Sequence, residues 1–538
     1  MRLWFVSMEC ANIAEAGGVK NVTFSLCKEF ASLGHDVTLF IPVFKCNTWD
    51  PLTDVCRNIG EATVSISHRK EAVMYTNAVC TQGNFKVILI NHPSFAEKEA
   101  VYTYTENEQR INPAHKKGEG HTDFLFMDIL FQKAVCAYLQ LLGKNDQPQI
   151  VHCQDASTAV LPAFIAQTKY ADIVKTVVTI HNAGPYYHHE FPDLKSAAYY
   201  TGLPEELLQL SENRGRIEPF LIAVNSGANL STVSEVYADE LKDPSNLDLT
   251  DGLSKIFYEK NVPIKGITNG FDFERYDPRD TEISKLPYEF NPENCDLDGK
   301  YKTREYFVNK VVNSNEAFKG ITKYGKLEPV TKQDIYISYH GRITGQKGIR
   351  VLTATIPEII NKYGTVRFVI AGQGEPKLEE EIISLTRDYP GKITFMNGYN
   401  QSVVRMSVAA SDFIVLPSYF EPCGLEDFIA QAYGTLPIAH KTGGLNKILD
   451  EKTGFLYEEN TSDALTDKIL DVLYWKNFDP SKILNMISAA AKHVHKEYLW
   501  KTVIEKKYLK YFKEILKKIV NLLLTLFRKE NNIVNVRH

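Results

Sequence analysis

The sequence predicts an α/β protein built of two Rossmann-like, doubly wound domains that face a cleft. Short apolar runs rich in β-branched residues alternate with helical patterns from the first residue onward, as in parallel sheets covered by helices on both faces. The same alternation starts afresh in the second half, and 538 residues are more than one hydrophobic core usually supports. Because open α/β sheets bind ligands at the carboxyl ends of their strands, we expect the ligand site in the cleft.

In both halves, the predicted strands are short apolar runs separated by polar or glycine-containing segments. The first two runs flank a helical pattern that ends near Gly34, which completes one βαβ unit. The strands predicted in the first half are residues 3–6, 37–41, 87–90, 150–151 and 177–180. Those predicted in the second half are residues 335–338, 366–370, 393–395, 413–416 and 436–439. We expect the boundary near residues 261–265 and a surface loop over the polar residues 284–303.

The composition argues against several functional classes. A net charge of −5 leaves no basic surplus for binding nucleic acid. The nine cysteines are scattered without a C-x-x-C pair, which fits reduced thiols better than a disulfide framework or a zinc site. No run reaches the roughly 20 apolar residues of a membrane helix, and no secretory leader is recognisable. We therefore expect a cytoplasmic protein.

One segment near the C-terminus leaves two interpretations open. The largely apolar residues 519–524 are flanked by Lys517, Lys518, Arg528 and Lys529. This pattern fits a helix docked on the body of the protein, or a basic amphipathic helix at a membrane surface. We favour the docked helix, so a membrane is not an expected partner apart from this segment.

Two cations in one loop are candidates for phosphate binding. Arg342 and Lys347 follow a predicted strand and precede a helical pattern. Arginine offers a forked contact to a diphosphate, and lysine offers a point charge. A solvated loop is the alternative, but the order of strand, loop and helix favours phosphate binding.

Two glycine pairs, a glutamate and a histidine also lie just beyond predicted strands. At Gly17-Gly18 and Gly443-Gly444 a phosphate or sugar could approach backbone amides, although such a pair alone is more often only a turn. The Glu421 carboxylate could accept hydrogen bonds from sugar hydroxyls, or could simply be a favourable acid at a helix N-terminus. His181 follows a strand end, where a histidine is a good candidate for polar recognition.

These motifs, in this order and at these separations, resemble the glycogen and starch synthases of glycosyltransferase family 5, which have the GT-B fold. The resemblance extends from Met1 to about Tyr511 and is most specific in residues 420–425, 433–437 and 441–445. It implies a retaining glucosyltransferase that moves glucose from ADP-glucose or UDP-glucose, with ADP-glucose favoured, to the non-reducing end of an α-1,4-glucan. The implied domains are residues 1–264 on the acceptor side, residues 265–490 on the nucleotide-sugar side, and residues 491–538 with a helix crossing back to the first domain and a C-terminal tail.

The resemblance also assigns roles to individual residues. Arg342 and Lys347 would hold the donor diphosphate, and Glu421 and His181 would contact the glucose. No metal or other cofactor is implied, since cations neutralise the leaving diphosphate. The residues with implied catalytic roles are Glu421, His181, Arg342, Lys347 and Asp155. The other implied substrate-binding residues are Gly17, Gly18, Asn182, Asn269, Tyr399 near the nucleotide base, Cys423, Gly424, Leu425, Thr442 and Gly443.

The chain departs from the family pattern at four places, one of which is Asn21, where the family has an acid shortly after the glycine pair. Glu15 precedes the first glycine pair where the family has lysine, and Lys20 is the nearby cation that could offset it. The residues 154–157 are Gln-Asp-Ala-Ser in place of His-Asp-Trp-His, and Glu426 stands where a small polar residue is common. Unit charges a few Å apart interact by ~1–4 kcal/mol at effective dielectric constants of about 80 to 20, so an added carboxylate matters beside a diphosphate.

Three functions are therefore compatible with the sequence. The chain could be an active α-1,4-glucan synthase, a transferase of the same fold with another donor or acceptor, or a non-catalytic glucan-binding paralogue. The intact Arg342, Lys347, Glu421 and His181 favour an enzyme, and we expect the synthase. The changes at Glu15 and around Asp155 favour the other two functions.

Overall fold

The computed structural model describes residues 1–143 and 145–517. The chain divides into two compact units: Met1–Asn269 together with the segment that starts at Val503, and Gly270–Thr502. The chain thus leaves the first unit after Asn269, a few residues beyond the expected boundary, and rejoins it near the C-terminus. The predicted α/β class with two parallel sheets is confirmed.

The first unit is built on a nine-stranded sheet. The strands of this sheet are β1 (Arg2–Val6), β2 (Asp36–Pro42), β3 (Leu52–Ile66), β4 (Arg69–Cys80), β5 (Phe85–Asn91), β6 (Ile150–Gln154), β7 (Lys175–Ile180), β10 (Asn229–Thr232) and β11 (Ile264–Gly266). Two further strands, β8 (Glu212–Asn213) and β9 (Arg216–Ile217), form a separate hairpin. The order is β11-β10-β7-β6-β1-β2-β5-β4-β3, and all strands from β11 to β5 pair in parallel. The antiparallel β3–β4 hairpin was not predicted, because most of β3 is exposed and lacks an apolar pattern.

The second unit contains a seven-stranded sheet. Its strands are β12 (Ile321–Tyr324), β13 (Ile335–His340), β14 (Val366–Gly372), β15 (Ile393–Gly398), β16 (Phe413–Leu416), β17 (Leu436–His440) and β18 (Phe455–Tyr457). The order is β12-β15-β14-β13-β16-β17-β18, and only β12 pairs antiparallel with its neighbour. The five strands predicted in this half are all present. They could be predicted because strands that are nearly fully buried are apolar on both faces.

Helices connect the strands. In the first unit they are α1 (Val19–Ser32), α2 (Pro93–Ala96), α3 (Glu106–Ile111), α4 (Phe124–Leu141), α5 (Leu161–Ala166), α6 (Leu194–Thr201), α7 (Glu205–Gln209), α8 (Pro219–Asn225), α9 (Glu235–Glu240) and α10 (Leu253–Glu259). The helices that follow are α11 (Thr281–Ser284), α12 (Asp298–Tyr306), α13 (Ile349–Lys362), α14 (Pro376–Asp388), α15 (Gln401–Ala409), α16 (Glu426–Ala432), α17 (Ser462–Phe478), α18 (Pro480–Glu497) and α19 (Trp500–Val503). Of these, α11 to α18 belong to the second unit, and α19 lies where the chain returns to the first. Phe307–Val312 and Ile504–Tyr508 are π-helical.

Helix α4 is the one helix of the described residues that is long and apolar enough to cross a membrane, judged by length and composition alone. More than half of it is buried within the protein, and the core helix of a globular domain has the same character. Its buried residues include Leu130, Phe131 and Leu139.

The returning C-terminal segment contributes to the core of the first unit, as predicted. Phe512 stacks on Phe30, with ring centroids 5.6 Å apart, and contacts the His152 ring edge-on. The Tyr511 hydroxyl donates a hydrogen bond to the carbonyl oxygen of Leu230 at 2.9 Å. The possible amphipathic helix at residues 519–529 lies outside the described residues.

The expected surface loop at residues 284–303 is wrong for its C-terminal part. Helix α12 begins at Asp298, and Lys300 is buried. The Lys300 ammonium donates to the carbonyl oxygens of Ala409 and Tyr433 and to the Thr435 hydroxyl, at 2.7 to 3.0 Å. From the sequence alone, a lysine that is buried because distant carbonyls accept its hydrogen bonds cannot be told from a surface lysine. This is why the segment was predicted to be a surface loop.

Candidate functional site

The loop after β1 folds around the carboxylate of Glu9. This side chain is 1% exposed, and its Oε2 accepts the backbone N–H groups of Ala16 at 3.2 Å and Gly17 at 2.5 Å. Burial raises the pKa of Glu9 to about 7 even though these hydrogen bonds favour the charged form. Sequence reasoning gave Glu9 no role, although its place between β1 and the glycine pair was a usable signal. Glu9 holds Gly17 in place, while Gly18 precedes helix α1 with open space around its Cα.

The unusual Glu15 is electrostatically compensated. Its Oε2 lies 2.9 Å from the Lys20 ammonium, and its Oε1 accepts the backbone N–H of Asn12 at 2.8 Å. Both side chains of the ion pair are partly exposed, so the pair adds little to stability. The pair does place a cation on α1 beside the carboxylate, as the sequence suggested for Lys20.

Asp155 sits in strained backbone at the end of β6. Its φ of 65° and ψ of −178° belong to a region that is essentially restricted to glycine. The carboxylate accepts the His181 backbone N–H at 3.3 Å, and burial raises the pKa of Asp155 to about 7. Strain of this kind persists where the surroundings demand it, and it is frequent at functional sites.

The His181 imidazole is neutral and held by Gln154. Burial lowers the pKa of His181 to about 3, and its Nε2–H donates to the Gln154 side-chain oxygen at 2.8 Å. The Gln154 amide nitrogen is buried and has no hydrogen-bond partner among residues 1–143 and 145–517. The buried side-chain oxygen of Asn269 likewise lacks a partner within that part of the chain. Such groups are costly to bury unless a ligand satisfies them.

Two histidine–carboxylate pairs that the sequence did not reveal lie around Asp155. His189 donates to Asp128 at 2.6 Å, and His188 donates to Glu218 at 2.7 Å. Burial lowers the pKa of His188, but the Glu218 charge outweighs it and the pKa rises to about 9. The charges of both histidines act on Asp155. Asn182, by contrast, accepts the Gly184 N–H at 2.7 Å and so shapes its own turn.

In the second unit, Lys347 and Glu421 form a mostly buried ion pair. The Lys347 ammonium lies 2.5 Å from Glu421 Oε2, which also accepts the Ser418 hydroxyl at 3.1 Å. Lys347 follows β13 and Glu421 follows β16, which are adjacent strands, so both side chains come from the carboxyl edge of one sheet. Burial lowers the pKa of Lys347, but the charges of Glu421 and Glu426 outweigh it, so the pKa is raised.

A glycine brings these two loops together. Gly348 has a φ of 67°, and a Cβ there would collide with the carbonyl oxygen of Pro417. Only glycine permits this approach of the β13 loop to the β16 loop. Arg342 lies in the same loop with an exposed side chain, and its charge acts on Lys347. The two predicted phosphate-binding cations are therefore neighbours.

Lys447 joins the loop after β17 to the loop after β16, and sequence reasoning missed it. Its side chain is 4% exposed, and its ammonium donates to the carbonyl oxygens of Cys423, Gly424 and Gly444 at 2.5 to 3.0 Å. It also pairs with the fully buried Asp427 at 2.9 Å. Lys447 looks in the sequence like one more surface lysine, so only its buried partners identify it.

The remaining predicted residues of the second unit lie on these loops or beside them. The Thr442 hydroxyl donates to the Tyr419 carbonyl oxygen at 3.3 Å, and the Gly443 carbonyl accepts the Asn446 side chain at 3.1 Å. Tyr399 follows β15 and is 61% exposed. The Leu425 N–H donates to the Glu426 carboxylate at 3.2 Å. Among the described residues, no group of three or more metal-ligating side chains is arranged to hold a metal ion.

The predicted residues thus form two groups, one in each unit. His181, Asp155, Gly17, Gly18, Asn182 and Asn269 belong to the first unit. Glu421, Arg342, Lys347, Tyr399, Cys423, Gly424, Leu425, Thr442 and Gly443 belong to the second. The first group, together with the neighbouring Glu9, combines buried acids with a neutral imidazole, which suits sugar hydroxyls. The second combines two cations with a carboxylate, which suits a phosphorylated sugar.

Comparison with known proteins agrees with this chemistry. Residues 2–257 match the family described as starch synthase catalytic domain, and residues 334–474 match the family described as glycosyl transferases group 1. The glycogen synthase of Thermodesulfovibrio yellowstonii is 29% identical over 536 residues, which cover 96% of this chain and 98% of the relative. The glycogen synthase of Lactococcus lactis is 27% identical, over 96% of this chain and all of the relative.

Solved structures share the fold. The catalytic domain of starch synthase IV from Arabidopsis thaliana, bound to ADP and acarbose, superimposes with a TM-score of 0.77 at 20% identity, over 95% of this chain and 99% of that one. Sucrose-phosphate synthase from Thermosynechococcus elongatus gives a TM-score of 0.55 at 17% identity, over 96% and 99% of the two chains. Both are two-domain GT-B proteins, so the GT-B fold expected from the sequence is confirmed.

Proposed function

Since the chain belongs to the glycogen and starch synthase family, we propose that it is a retaining glucosyltransferase that moves glucose from ADP-glucose to the non-reducing end of an α-1,4-glucan. The observation that carries the proposal is the Lys347–Glu421 pair at 2.5 Å, with Arg342 in the same loop. In this arrangement, two cations that could bind a diphosphate lie beside a carboxylate that could bind a sugar.

The second unit would bind the donor. Arg342 and Lys347 would contact the diphosphate, and each charge-assisted hydrogen bond of this kind contributes ~1.5–3 kcal/mol. Glu421 would accept hydrogen bonds from glucose hydroxyls with the oxygen that Lys347 and Ser418 leave available, since a carboxylate accepts several hydrogen bonds at once. Tyr399, with its exposed ring, would lie beside the nucleotide base.

In the reaction, the bond between glucose C1 and the diphosphate oxygen breaks, and a bond from C1 to the acceptor hydroxyl oxygen forms on the same face of the sugar. The hydroxyl proton passes to the departing phosphate oxygen. The diphosphate gains negative charge as the C1–O bond breaks, so fixed cations at Arg342 and Lys347 interact more strongly with the transition state than with the substrate and lower the barrier. No resident metal or other cofactor is proposed.

The first unit would position the sugar and the acceptor. His181 is neutral at physiological pH, so it would act on sugar hydroxyls as a hydrogen-bonding group and not as a cation. Asp155 and Glu9, with pKa values of about 7, are carboxyl groups that exist in both protonation states near neutrality. The unpartnered polar atoms of Gln154 and Asn269 are further candidates for contacts with sugar hydroxyls.

The choice of nucleotide is part of the proposal. The starch synthase IV structure with ADP and acarbose supports an adenine nucleotide and an α-glucan acceptor, with UDP-glucose as the alternative donor. We also propose a cytoplasmic location, because the nine cysteines of the sequence are scattered without a C-x-x-C pair.

The test is release of nucleoside diphosphate by the purified full chain, with ADP-glucose or UDP-glucose as donor and glycogen as acceptor. We expect glycogen-dependent release with ADP-glucose, and loss of at least tenfold in kcat for Glu421→Ala. Glu358→Gln, an exposed change on α13, is the control and should match wild type. Glycogen binding without release from either donor would contradict the proposal and identify a non-catalytic glucan-binding protein.

A further inference from the structure

Glu426 is a charged residue in the proposed donor site for which the proposed reaction has no use. It is the first residue of α16 and directly follows the residues 420–425. Its carboxylate turns back to accept the N–H of Leu425 at 3.2 Å. It lies close enough to Lys347 for the lysine charge to act on it; burial raises the pKa of Glu426, but the Lys347 charge and backbone hydrogen bonds contribute to an overall lowered pKa. Glu426 is therefore ionised at neutral pH.

Lys347 thus faces two carboxylates. Glu421 contacts it directly, and Glu426 also contributes to the raised pKa of its ammonium. His340, on β13, adds no charge at neutral pH, because burial lowers its pKa. With Arg342 as the second cation of the loop, the positive and negative charges of this cluster balance. The incoming diphosphate therefore meets a neutral cluster, in which the charge of Glu426 opposes its binding.

The substrate and the product of the proposed reaction differ in charge at the atoms that would meet Lys347. The diphosphate of a nucleotide sugar carries two negative charges, because its terminal phosphate is esterified to the sugar. A released nucleoside diphosphate carries about three at neutral pH, since its terminal phosphate loses a further proton with a pKa of about 6. A fixed carboxylate repels the product more strongly than the substrate.

We propose that Glu426 is a specificity residue that discriminates the nucleotide-sugar donor from the nucleoside diphosphate product and so promotes product release. The inference rests on the proposed function, because it requires the diphosphate to bind at Arg342 and Lys347. The carboxylate weakens the binding of both nucleotides, but it weakens that of the product more. The enzyme thereby avoids inhibition by the diphosphate it releases.

The test compares the affinities of ADP and ADP-glucose, and of UDP and UDP-glucose, by calorimetry on the full chain. The variants are Glu426→Gln, which keeps the shape and removes the charge, and Glu426→Asp, which keeps the charge. Glu380→Gln, an exposed change on α14 at a carboxylate paired with Arg387, alters the net charge by the same amount and serves as the control. We expect Glu426→Gln to raise the affinity for the diphosphate about tenfold and that for the nucleotide sugar about threefold. Glu426→Asp and Glu380→Gln should keep the wild-type ratio.

The possible outcomes separate this inference from the proposed function. Equal gains for both ligands, no gain, or a gain shared by Glu380→Gln would overturn the role of Glu426 while leaving the proposed function intact. Wild type that binds none of the four nucleotides would overturn the proposed function itself.

Kinetics provide a second measurement, in which the inhibition constant for the nucleoside diphosphate should be lower in Glu426→Gln than in wild type. The ratio of the two affinities should also depend on salt in wild type and less so in this variant, because screening weakens charge repulsion.

Discussion

At the scale of single residues, the environment of a carboxylate decides whether it opposes phosphate binding. Glu15, which seemed to oppose a phosphate, is paired with Lys20 and hydrogen-bonded to the Asn12 backbone. Replacing Glu15 by lysine would therefore set two lysines side by side. The pairing explains how the chain tolerates a carboxylate at this position, and it leaves Glu426 as the departure with the larger electrostatic consequence.

The two cations of the proposed diphosphate site give a residue-scale prediction. Arg342→Ala and Lys347→Ala should each weaken ADP-glucose binding at least tenfold, because each removes a charge-assisted contact of ~1.5–3 kcal/mol. Lys347→Ala should also reduce kcat, since it leaves Glu421 without its ion-pair partner. Calorimetry and steady-state kinetics measure both effects. Arg350→Ala, an exposed arginine on α13, is the control; unchanged binding in both test variants would refute the assignment.

Glu9 gives a prediction about pH. Its carboxyl has a pKa of about 7 in the folded protein, compared with an ordinary value of 4.5. The folded state therefore holds this proton more tightly than the unfolded chain, so stability present at low pH is lost as the pH rises from about 4.5 to about 7. Glu9→Gln keeps an acceptor for the Ala16 and Gly17 amides but does not titrate.

We expect the free energy of unfolding of wild type to fall relative to Glu9→Gln by on the order of 3 kcal/mol between pH 4.5 and pH 8. Urea unfolding at several pH values measures the difference. Equal pH dependence of wild type and variant would show that Glu9 is already ionised at pH 5. Asp155→Asn should give a difference of the same sign, because burial also raises the pKa of Asp155 to about 7.

At the scale of elements, the loops after β16 and β17 are held together by one buried lysine. Lys447 satisfies three backbone carbonyls and the buried carboxylate of Asp427 on α16. It also lies over the Phe428 ring, 4.4 Å from the centroid. Because Cys423 and Gly424 belong to the proposed donor loop, Lys447 couples the geometry of that loop to the packing of α16.

Lys447→Met should therefore destabilise the protein by ~3–5 kcal/mol, because it leaves Asp427 buried without its cationic partner. The double variant Lys447→Met with Asp427→Asn should recover part of this loss, since no charge is then buried alone. Thermal and urea unfolding measure stability, and the KM for ADP-glucose reports on the loop. A single variant as stable as wild type at pH 7 would contradict this role of Lys447, because Asp427, with a pKa of about 6, is mostly ionised at that pH.

At the scale of the whole molecule, the two units are not successive segments of the chain. The segment that starts at Val503 belongs to the first unit, where Tyr508, Tyr511 and Phe512 are buried. The fold of the first unit therefore depends on residues that follow the whole of the second unit in the chain. A protein cut after residue 502 would expose the faces of Phe30 and His152 that Phe512 covers.

Phe512→Ala should destabilise the first unit by ~3–5 kcal/mol, the usual cost of removing a buried aromatic ring. Phe478→Ala, which truncates a ring that is 72% exposed at the end of α17, should change stability by less than about 0.5 kcal/mol. Urea unfolding compares the two variants. Equal, small effects would mean that the C-terminal segment adds little to the core it covers.

The sequence alone was sufficient for the α/β class, for the two parallel sheets and for the loops that contain Arg342, Lys347 and Glu421. These features are local: a strand buried on both faces is apolar along its whole length, and a motif between a strand and a helix is placed by that order. The β3–β4 hairpin escaped prediction because most of β3 is exposed, so no hydrophobic pattern marked it.

Only the tertiary structure decided which charges are buried and what they contact. Lys300 is separated from its acceptors by more than a hundred residues, and His189 lies 61 residues from Asp128. Lys447 and Glu9 are likewise identified by their partners and not by their own sequence context. The physical reason is that a charged side chain can be buried only where distant groups satisfy it, and the amino-acid sequence does not show which distant groups the fold brings to it.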